Sequence, residues 1–175
     1  MTQSNVTLET QRLRLVPMTY DFVRGVIAQD HSAYELLGAV KTETWPENAE
    51  IMDILPMILG NLEDRPVPDG FDAWLFISKE DHSVVGDGGF RGCPDEQGVI
   101  DMGYAIIEAQ RGKGYATEAV SALLEWGLTQ RGVSAVTADC QEHNLPSLTI
   151  LTKLGMQEID KRDGCLFFKK DIECS

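Results

Sequence analysis

A short stretch rich in glycine and positive charge, Arg111-Gly-Lys-Gly-Tyr-Ala-Thr117, has the residue types of an anion-binding loop. It lies between an apolar run and an amphipathic run, so we expect a strand to enter it and a helix to leave it. The first amides of a helix have no partner in their own helix, and the helix dipole adds positive potential there. Gly112 and Gly114 let the backbone approach an anion, while Arg111 and Lys113 add charge. The loop therefore predicts a bound phosphate or pyrophosphate group.

The spacing within this loop distinguishes between three phosphate-binding patterns. A P-loop needs Gly-x-x-x-x-Gly-Lys followed by Ser or Thr, which this loop lacks. A dinucleotide fingerprint needs a third glycine where this chain has Thr117, and it belongs to a parallel βαβ unit. The pattern that fits is Arg-x-x-Gly-x-Ala, carried by Arg111, Gly114 and Ala116. A plain strand-to-helix turn is the remaining alternative, but such a turn needs neither two glycines nor two flanking cations.

The sequence shows no repeat, no low-complexity segment and no convincing linker, so we expect one domain, residues 1–175. Hydrophobic periodicity predicts that it is built of mixed helices and strands. Three strands joined by short turns before the loop indicate an antiparallel meander. Pro46 is expected in the first turn of a helix that Pro56 bends or shortens. The predicted order is strand 13–16, helices 21–29, 31–38 and 47–59, strands 73–78, 84–90 and 99–107, helix 115–130, strand 135–140, helix 144–154, and a hairpin turning at 162–164.

Composition narrows the class of protein. With 175 residues and 43% apolar content, the chain can bury one core. Its net charge of −13 argues against nucleic acid as a partner and permits attraction of a cationic acceptor, or serves solubility alone. We expect no membrane span, because no run approaches about 18 apolar residues. The four cysteines show no zinc spacing, and the N-terminus has no signal-peptide pattern, so we expect free thiols, no metal and a cytoplasmic protein.

The run Arg111-x-x-Gly114-x-Ala116 resembles the acyl-CoA pyrophosphate loop of the GNAT superfamily of N-acetyltransferases, and the order of elements resembles its fold along about the whole chain. That resemblance implies an α+β fold with a central mixed, mostly antiparallel sheet, flanked by helices and splayed between the fourth and fifth strands. Other stretches resemble the RimJ/RimL-like branch, which acetylates protein N-termini among other amines. These stretches are Leu8-Glu-Thr-Gln-Arg-Leu-Arg-Leu15, Gly103-Tyr-Ala-Ile106, Arg111-Gly-Lys-Gly-Tyr-Ala-Thr-Glu-Ala119, Asn144-x-x-Ser147 and Lys153-Leu-Gly-Met156.

The same resemblance implies acetyl-CoA as the co-substrate, with an amine attacking its thioester while both substrates are bound. Pantetheine would lie in the gap between the splayed strands and contact Ile106 and Ile107 through their backbones. A backbone N–H near Ile106 would face the thioester oxygen. Asn144 matches a second contact to the cofactor, although a helix cap is an equal interpretation. The expected cofactor-binding residues are Ile106, Ile107, Arg111, Gly112, Lys113, Gly114, Tyr115, Ala116, Thr117 and Asn144.

Two residues are expected to carry the proton transfers. Ser147 matches the family's hydroxyl in Asn-x-x-Ser and would protonate the leaving thiolate or hold its water; the alternative is a serine in the first turn of a helix. Leu151 stands where many relatives have a tyrosine that acts as the general acid. Asp101 would act as the base; the alternative is a solvated carboxylate at a strand edge. Glu142 is a reserve candidate, and His143 is interpreted as a surface residue.

The acceptor is the least specified part of the site. Tyr34, Trp45, Trp74 and Phe90 are candidate walls of its pocket, although aromatic residues at such spacing also form cores. The acceptor amines left open are a peptide N-terminus, a polyamine, an aminoglycoside-like antibiotic and an amino acid. A non-catalytic acyl-CoA-binding or sensor module is the alternative function, and both a monomer and a homodimer are compatible with the sequence.

Overall fold

The computed structural model describes residues 6–47 and 50–174, and within them eight strands form one sheet. Their order across the sheet is β1-β2-β3-β4-β5-β6-β8-β7. In this described sheet every neighbouring pair is antiparallel except β5 and β6, which are parallel. The mixed, mostly antiparallel sheet is thereby confirmed. The strands are β1 (Leu8–Glu9), β2 (Leu13–Pro17), β3 (Ala73–Ser78), β4 (Val84–Phe90), β5 (Val99–Ile106), β6 (Ala135–Gln141), β7 (Gln157–Arg162) and β8 (Cys165–Asp171).

Helices cover both faces of this sheet. They are α1 (Tyr20–Ile27), α2 (Ile51–Leu62), α3 (Tyr115–Thr129) and α4 (Leu145–Lys153), with 3₁₀ turns at His31–Leu37 and Glu108–Gln110. Phe22 of α1 and Leu55 of α2 belong to a buried cluster on one face, termed the α1/α2 face. Leu123 of α3 and Leu151 of α4 belong to a second cluster on the opposite, α3/α4 face. The sheet therefore separates two apolar cores.

Strand β3 shows how side chains are assigned to the two faces. Its run AWLFIS is apolar at nearly every position, as expected for a strand covered on both sides. Successive side chains point to opposite faces, so Trp74 lies in the α3/α4 core and Leu75 in the α1/α2 core. Paired residues of neighbouring strands share a face, and Leu75 pairs with Asp87, which pairs with Ala105. Asp87 and Ala105 therefore both lie on the α1/α2 face.

The sheet splays between β5 and β6. These are the fourth and fifth strands of the predicted order, so the splay lies where it was predicted. These strands pair only from Val99 with Ala135 to Met102 with Ala138. Beyond that point β5 stays paired with β4 as far as Ile106, and β6 stays paired with β8. Each strand follows its outer neighbour, so a gap opens between their ends, next to the loop that leads into α3.

The helix expected at 47–59 differs most from its prediction. It corresponds to α2, which begins at Ile51, so Pro46 lies before the helix and not in its first turn. Residues 48 and 49 lie outside the described part of the chain. Pro56 lies inside α2, which continues past it to Leu62. The proline was therefore a weaker stop signal than expected, because the apolar face of α2 packs on the core and offsets the lost hydrogen bond.

The C-terminal hairpin is confirmed at its predicted turn. Asp163 and Gly164 have φ values of 51° and 75°, as a two-residue type I′ turn requires. Strand β1 was not predicted, because two residues carry no periodic signal.

Candidate active site

The loop that leads into α3 exposes its backbone. Residues 111–114 are exposed, and Gly112 and Gly114 have φ values of 76° and 84°. Such left-handed conformations favour glycine. Among the described residues no side chain caps the N-terminus of α3, so its first amides are open to a ligand. The loop has the form expected of a phosphate seat.

Arg12 comes from the segment before β2 and lies against this loop. Its Nη1 donates to the Lys113 carbonyl oxygen at 2.9 Å, and its guanidinium lies 4.4 Å from the centre of the Tyr115 ring. Its Nε donates to Glu118 Oε2 at 2.9 Å. Burial raises the pKa of Glu118, but hydrogen bonds from Thr10 and Arg12 outweigh burial and hold it below its usual value. Arg12 therefore adds a cation to the loop that sequence reasoning missed.

Arg111 and Lys113 are tied to neighbouring groups. Arg111 Nε donates to the Ile106 carbonyl oxygen at 3.0 Å, and Lys113 Nζ donates to Gln110 Oε1 at 2.8 Å. Their charges thus stay beside the glycines. The Ile106 carbonyl oxygen already accepts a hydrogen bond from Arg111.

The backbone of β5 presents alternate residues to the gap. The N–H of Ile107 donates to the Val85 carbonyl at 3.0 Å, so odd-numbered residues bond toward β4. Because these directions alternate along a strand, the N–H groups of Tyr104 and Ile106 point toward the gap. The Ile107 carbonyl accepts from the Gln110 N–H at 2.9 Å. The geometry therefore does not support the prediction that Ile107 binds pantetheine through its backbone, since both groups have partners.

Residues 12–157 match the family model described as the acetyltransferase (GNAT) domain, a segment that contains the loop, the gap and Arg12. The chain belongs to the GNAT acetyltransferase family. It is an N-acetyltransferase, and acetyl-CoA is its acetyl donor.

Individual relatives agree with this GNAT membership. The chain is 38% identical over 150 residues to the uncharacterized N-acetyltransferase YjdG of Bacillus subtilis (strain 168), covering 86% of this chain and 89% of that relative. A RimL ribosomal L7/L12 alpha-N-protein acetyltransferase solved with coenzyme A is similar in structure, with a TM-score of 0.66, 13% identity and coverage of 95% and 98%. FdhC, a nucleotide-linked sugar GNAT, gives a TM-score of 0.67 at 15% identity, with coverage of 96% and 91%. The two structural likenesses show the fold.

The loop and the gap of this GNAT protein fit the polar parts of acetyl-CoA. The exposed amides of Gly112 to Gly114 suit the pyrophosphate, whereas the Arg111 N–H already donates to the Glu108 carbonyl oxygen at 3.2 Å. Tyr115, Ala116 and Thr117 form the first turn of α3, whose amides lack partners within the helix. The N–H of Ile106 suits an oxygen of the thioester or of pantetheine. Other roles in cofactor binding stay predictions.

Asn144 and Ser147 lie at the N-terminus of α4. The Asn144 side-chain oxygen accepts from the Ser147 N–H at 3.3 Å, so Asn144 caps the helix. The Tyr104 hydroxyl is buried and has no hydrogen-bond partner of good geometry among the described residues. Burial raises the pKa of Tyr104, and the nearby Ser147 hydroxyl partly counters that rise. Ser147 therefore lies beside a side chain of β5, whereas Leu151 is fully buried in the α3/α4 core.

Asp101 is enclosed by polar partners. Arg91 Nη1 forms an ion pair with Asp101 Oδ2 and lies 3.3 Å from Asp139 Oδ1. The Thr137 hydroxyl donates to Asp101 Oδ1 at 2.8 Å. Both carboxylate oxygens of Asp101 therefore have donors already, and its role as a base stays a prediction.

Asp87 is a carboxylate that sequence reasoning missed. It is 9% exposed, and the Trp45 indole N–H donates to its Oδ2 at 2.9 Å. Burial raises the pKa of Asp87 to about 6; the Trp45 bond opposes this rise and the charge of Glu50 adds to it. The run VVGDGGF does not indicate that Asp87 is buried. Its burial arises from the packing of the α1/α2 face and of Trp45 against it.

Glu142, the reserve candidate for the base, and the neighbouring His143 both lie at the surface. Lys161 Nζ lies 2.5 Å from Glu142 Oε2, and this hydrogen bond holds the pKa of Glu142 below its usual value. His143 is exposed. Glu142 is thus a weaker base than an ordinary carboxylate.

The four candidate aromatic walls are divided between the two cores. Tyr34 and Trp45 lie in the α1/α2 core, with ring centres 6.0 Å apart, and Trp45 touches Asp87. Trp74 and Phe90 lie in the α3/α4 core, which makes them core residues and not walls of an acceptor pocket.

Within residues 6–47 and 50–174 we find no group of three His, Cys, Asp or Glu side chains that could hold a metal ion. In that same part of the chain no helix combines the length and the apolar character that a membrane crossing requires.

Proposed function

We propose that the protein acetylates the primary amine of a protein or peptide N-terminus, by direct attack on acetyl-CoA in a ternary complex. One observation carries this proposal. The gap between β5 and β6 lies between the glycine-rich loop 111–117 and a face of the sheet that carries acidic side chains. Donor and acceptor can therefore meet at the gap from different sides, as direct transfer requires.

The donor side supplies anchoring and charge stabilisation. The loop amides would hold the pyrophosphate, with Arg12 and Arg111 beside them. The N–H of Ile106 would donate to the thioester oxygen as negative charge develops there. A preorganised donor of this kind contributes about 3 kcal/mol to the stability of the transition state.

The acceptor side favours a cation. Asp87 and Asp101 share the α1/α2 face of the sheet, and Asp139 joins Asp101 at Arg91. The whole chain has a net charge of −13, which favours the approach of an ammonium group to this face. The RimL protein with a similar fold acts on a ribosomal protein N-terminus, which is such a cation. The nucleotide-linked sugar of FdhC is anionic, and the acidic face disfavours a ligand of that kind.

The leaving thiolate needs a proton, and Ser147 is the proposed donor. Its hydroxyl lies beside the Tyr104 hydroxyl, which has no hydrogen-bond partner of good geometry in the described part of the chain, at the end of β5 where the gap begins. We place the reaction in the cytoplasm, consistent with four free cysteines, Cys93, Cys140, Cys165 and Cys174.

Release of free thiol from acetyl-CoA tests the proposal. The purified protein is assayed with short peptides, with the same peptides blocked at the α-amine, with polyamines and with aminoglycosides. We expect turnover with the free peptides and none with their blocked forms. Faster turnover with a polyamine or an aminoglycoside than with every peptide would replace the acceptor class while leaving the acetyl transfer in place.

A further inference from the structure

We propose that Asp87 accepts the proton that leaves the acceptor ammonium group. The proposal rests on the direct transfer described above and names a catalytic residue for it. It assigns to Asp87 the role that the sequence predicted for Asp101.

Position along β5 separates these two carboxylates. Asp87 lies directly opposite Ala105, and such opposed residues have Cβ atoms about 5 Å apart. Ala105 adjoins both Tyr104 and Ile106, whose N–H groups face the gap. Asp101 shares this face but lies about 13 Å from Ala105 along the strand, at roughly 3.3 Å per residue. A thioester held at the Ile106 N–H is therefore close to Asp87 and distant from Asp101.

Asp87 is 9% exposed, and the residues around it differ between its two sides. Leu75 and Trp45 are fully buried against it. On the other side, Ala105 and Gly103 of β5 are small and partly exposed. A Cβ at Gly103 would have only an Arg91 nitrogen within 4.0 Å, so we infer that an amine approaches Asp87 from this side.

Burial is the main cause of the raised pKa of Asp87, and its charged neighbours add to it. Glu50 adds a negative charge, whereas β3 and β5 present the uncharged Leu75 and Ala105. Tyr34, which packs on Trp45, keeps its proton because burial and then the charge of Glu47 raise its pKa. With a pKa of about 6, Asp87 is ionised at neutral pH and still basic enough to accept a proton.

All three protons of the acceptor ammonium group are accounted for in this step. The acceptor ammonium group gives one proton to Asp87, and its freed electron pair attacks the thioester carbonyl carbon. The carbonyl oxygen takes the negative charge at the Ile106 N–H. When the C–S bond breaks, a second proton from nitrogen reaches the thiolate by way of Ser147, and the third stays in the amide. Asp87 then loses its proton to water, so each turnover yields coenzyme A, the acetylated amine and one proton.

The first test replaces Asp87 by asparagine, whose carbonyl oxygen can still accept from Trp45. We expect kcat/KM to fall at least about 100-fold, as for loss of a general base. The acidic limb of the pH profile near pH 6 should disappear, while acetyl-CoA binds with unchanged Kd. A limb caused by the acceptor amine itself is common to all variants and serves as the internal reference. Retention of the limb near pH 6 in Asp87→Asn overturns the proposal.

A second variant tests the role of Asp87 as proton acceptor even if Asp87→Asn does not fold. Trp45→Phe removes the N–H that stabilises the carboxylate, so the acidic limb should move to higher pH. A limb at unchanged pH contradicts the role of Asp87. Asp72→Asn is the matched control, because it removes another buried carboxylate, paired with Arg65, and should leave the limb in place.

Failure of the proposed function gives a different result. In that case the wild-type protein shows no turnover with the free peptides, whether or not another amine is acetylated. Failure of the Asp87 proposal leaves wild-type turnover intact and Asp87→Asn equally active.

Discussion

Arg12 and Lys113 lie 101 positions apart in the chain, yet the Arg12 guanidinium donates to the Lys113 carbonyl oxygen at 2.9 Å. The same guanidinium pairs with Glu118 in the first turn of α3. It therefore helps to fix the shape of the loop 111–117 and pairs with a carboxylate in the first turn of the helix that follows. A residue before the first long strand thus helps to build a site that lies in the second half of the chain.

Replacing Arg12 by glutamine should weaken acetyl-CoA binding by about tenfold, which corresponds to about 1.4 kcal/mol. The reason is twofold: the loop loses a positive charge, and Glu118 loses its ion pair beside the phosphates while keeping its bonds from Thr10 and from the backbone N–H of residue 12. Isothermal titration with acetyl-CoA measures the change. Arg14→Gln is the matched control, because Arg14 donates to the carbonyls of Leu37 and Gly38, away from the loop. Equal losses in both variants would show that Arg12 acts only through overall stability.

Gly114→Glu should abolish acetyl-CoA binding. Gly114 has a φ of 84°, which strains any other residue, and the new carboxylate would repel the pyrophosphate. Gly132→Glu is the control, since Gly132 has a φ of 86° and open space around it, beyond the far end of α3. Titration with acetyl-CoA should therefore show saturable binding for Gly132→Glu and none for Gly114→Glu. Normal binding by Gly114→Glu would place the pyrophosphate elsewhere.

Local patterns sufficed to predict the loop, because two glycines, two cations and the start of a helix are neighbours in the chain. Arg12 escaped prediction, since its contact with Lys113 depends on how β2 and α3 pack. Asp87 escaped for a similar reason: its burial and its bond to Trp45 arise from the packing of distant segments. Conversely, Asp101 has an active-site pattern in sequence, but the fold supplies it with Arg91 and Thr137.

Asp101→Asn should lower kcat/KM for the amine by less than tenfold and leave the limb near pH 6 unchanged. The substitution weakens the hold on Arg91, which keeps Asp139 as a partner. We therefore expect a higher KM for a cationic acceptor, with acetyl-CoA affinity intact. Steady-state rates across pH 5 to 9 measure both effects. Disappearance of the acidic limb in this variant would restore Asp101 as the base.

Asp87→Asn should make the protein more stable at neutral pH. In the unfolded chain Asp87 ionises near its ordinary pKa of 3.8, whereas in the folded protein burial raises the pKa to about 6. Between these values the folded state binds the extra proton, so stability falls as pH rises, and above pH 6 the loss is constant at about 3 kcal/mol. Asparagine carries no charge and avoids this loss.

Urea unfolding at pH 7 and at pH 4 measures this difference. The variant should exceed the wild type by about 3 kcal/mol at pH 7, and the two should converge at pH 4. Asp81→Asn is a control of opposite sign, because hydrogen bonds from Ser83 lower the pKa of Asp81 and stabilise its charged form in the folded state. That variant should be less stable than the wild type at pH 7, with a difference that shrinks in acid. A stability of Asp87→Asn below that of the wild type at pH 7 would mean that Asp87 is held as a structural charge, and a carboxylate stabilised in that way is a poor proton acceptor.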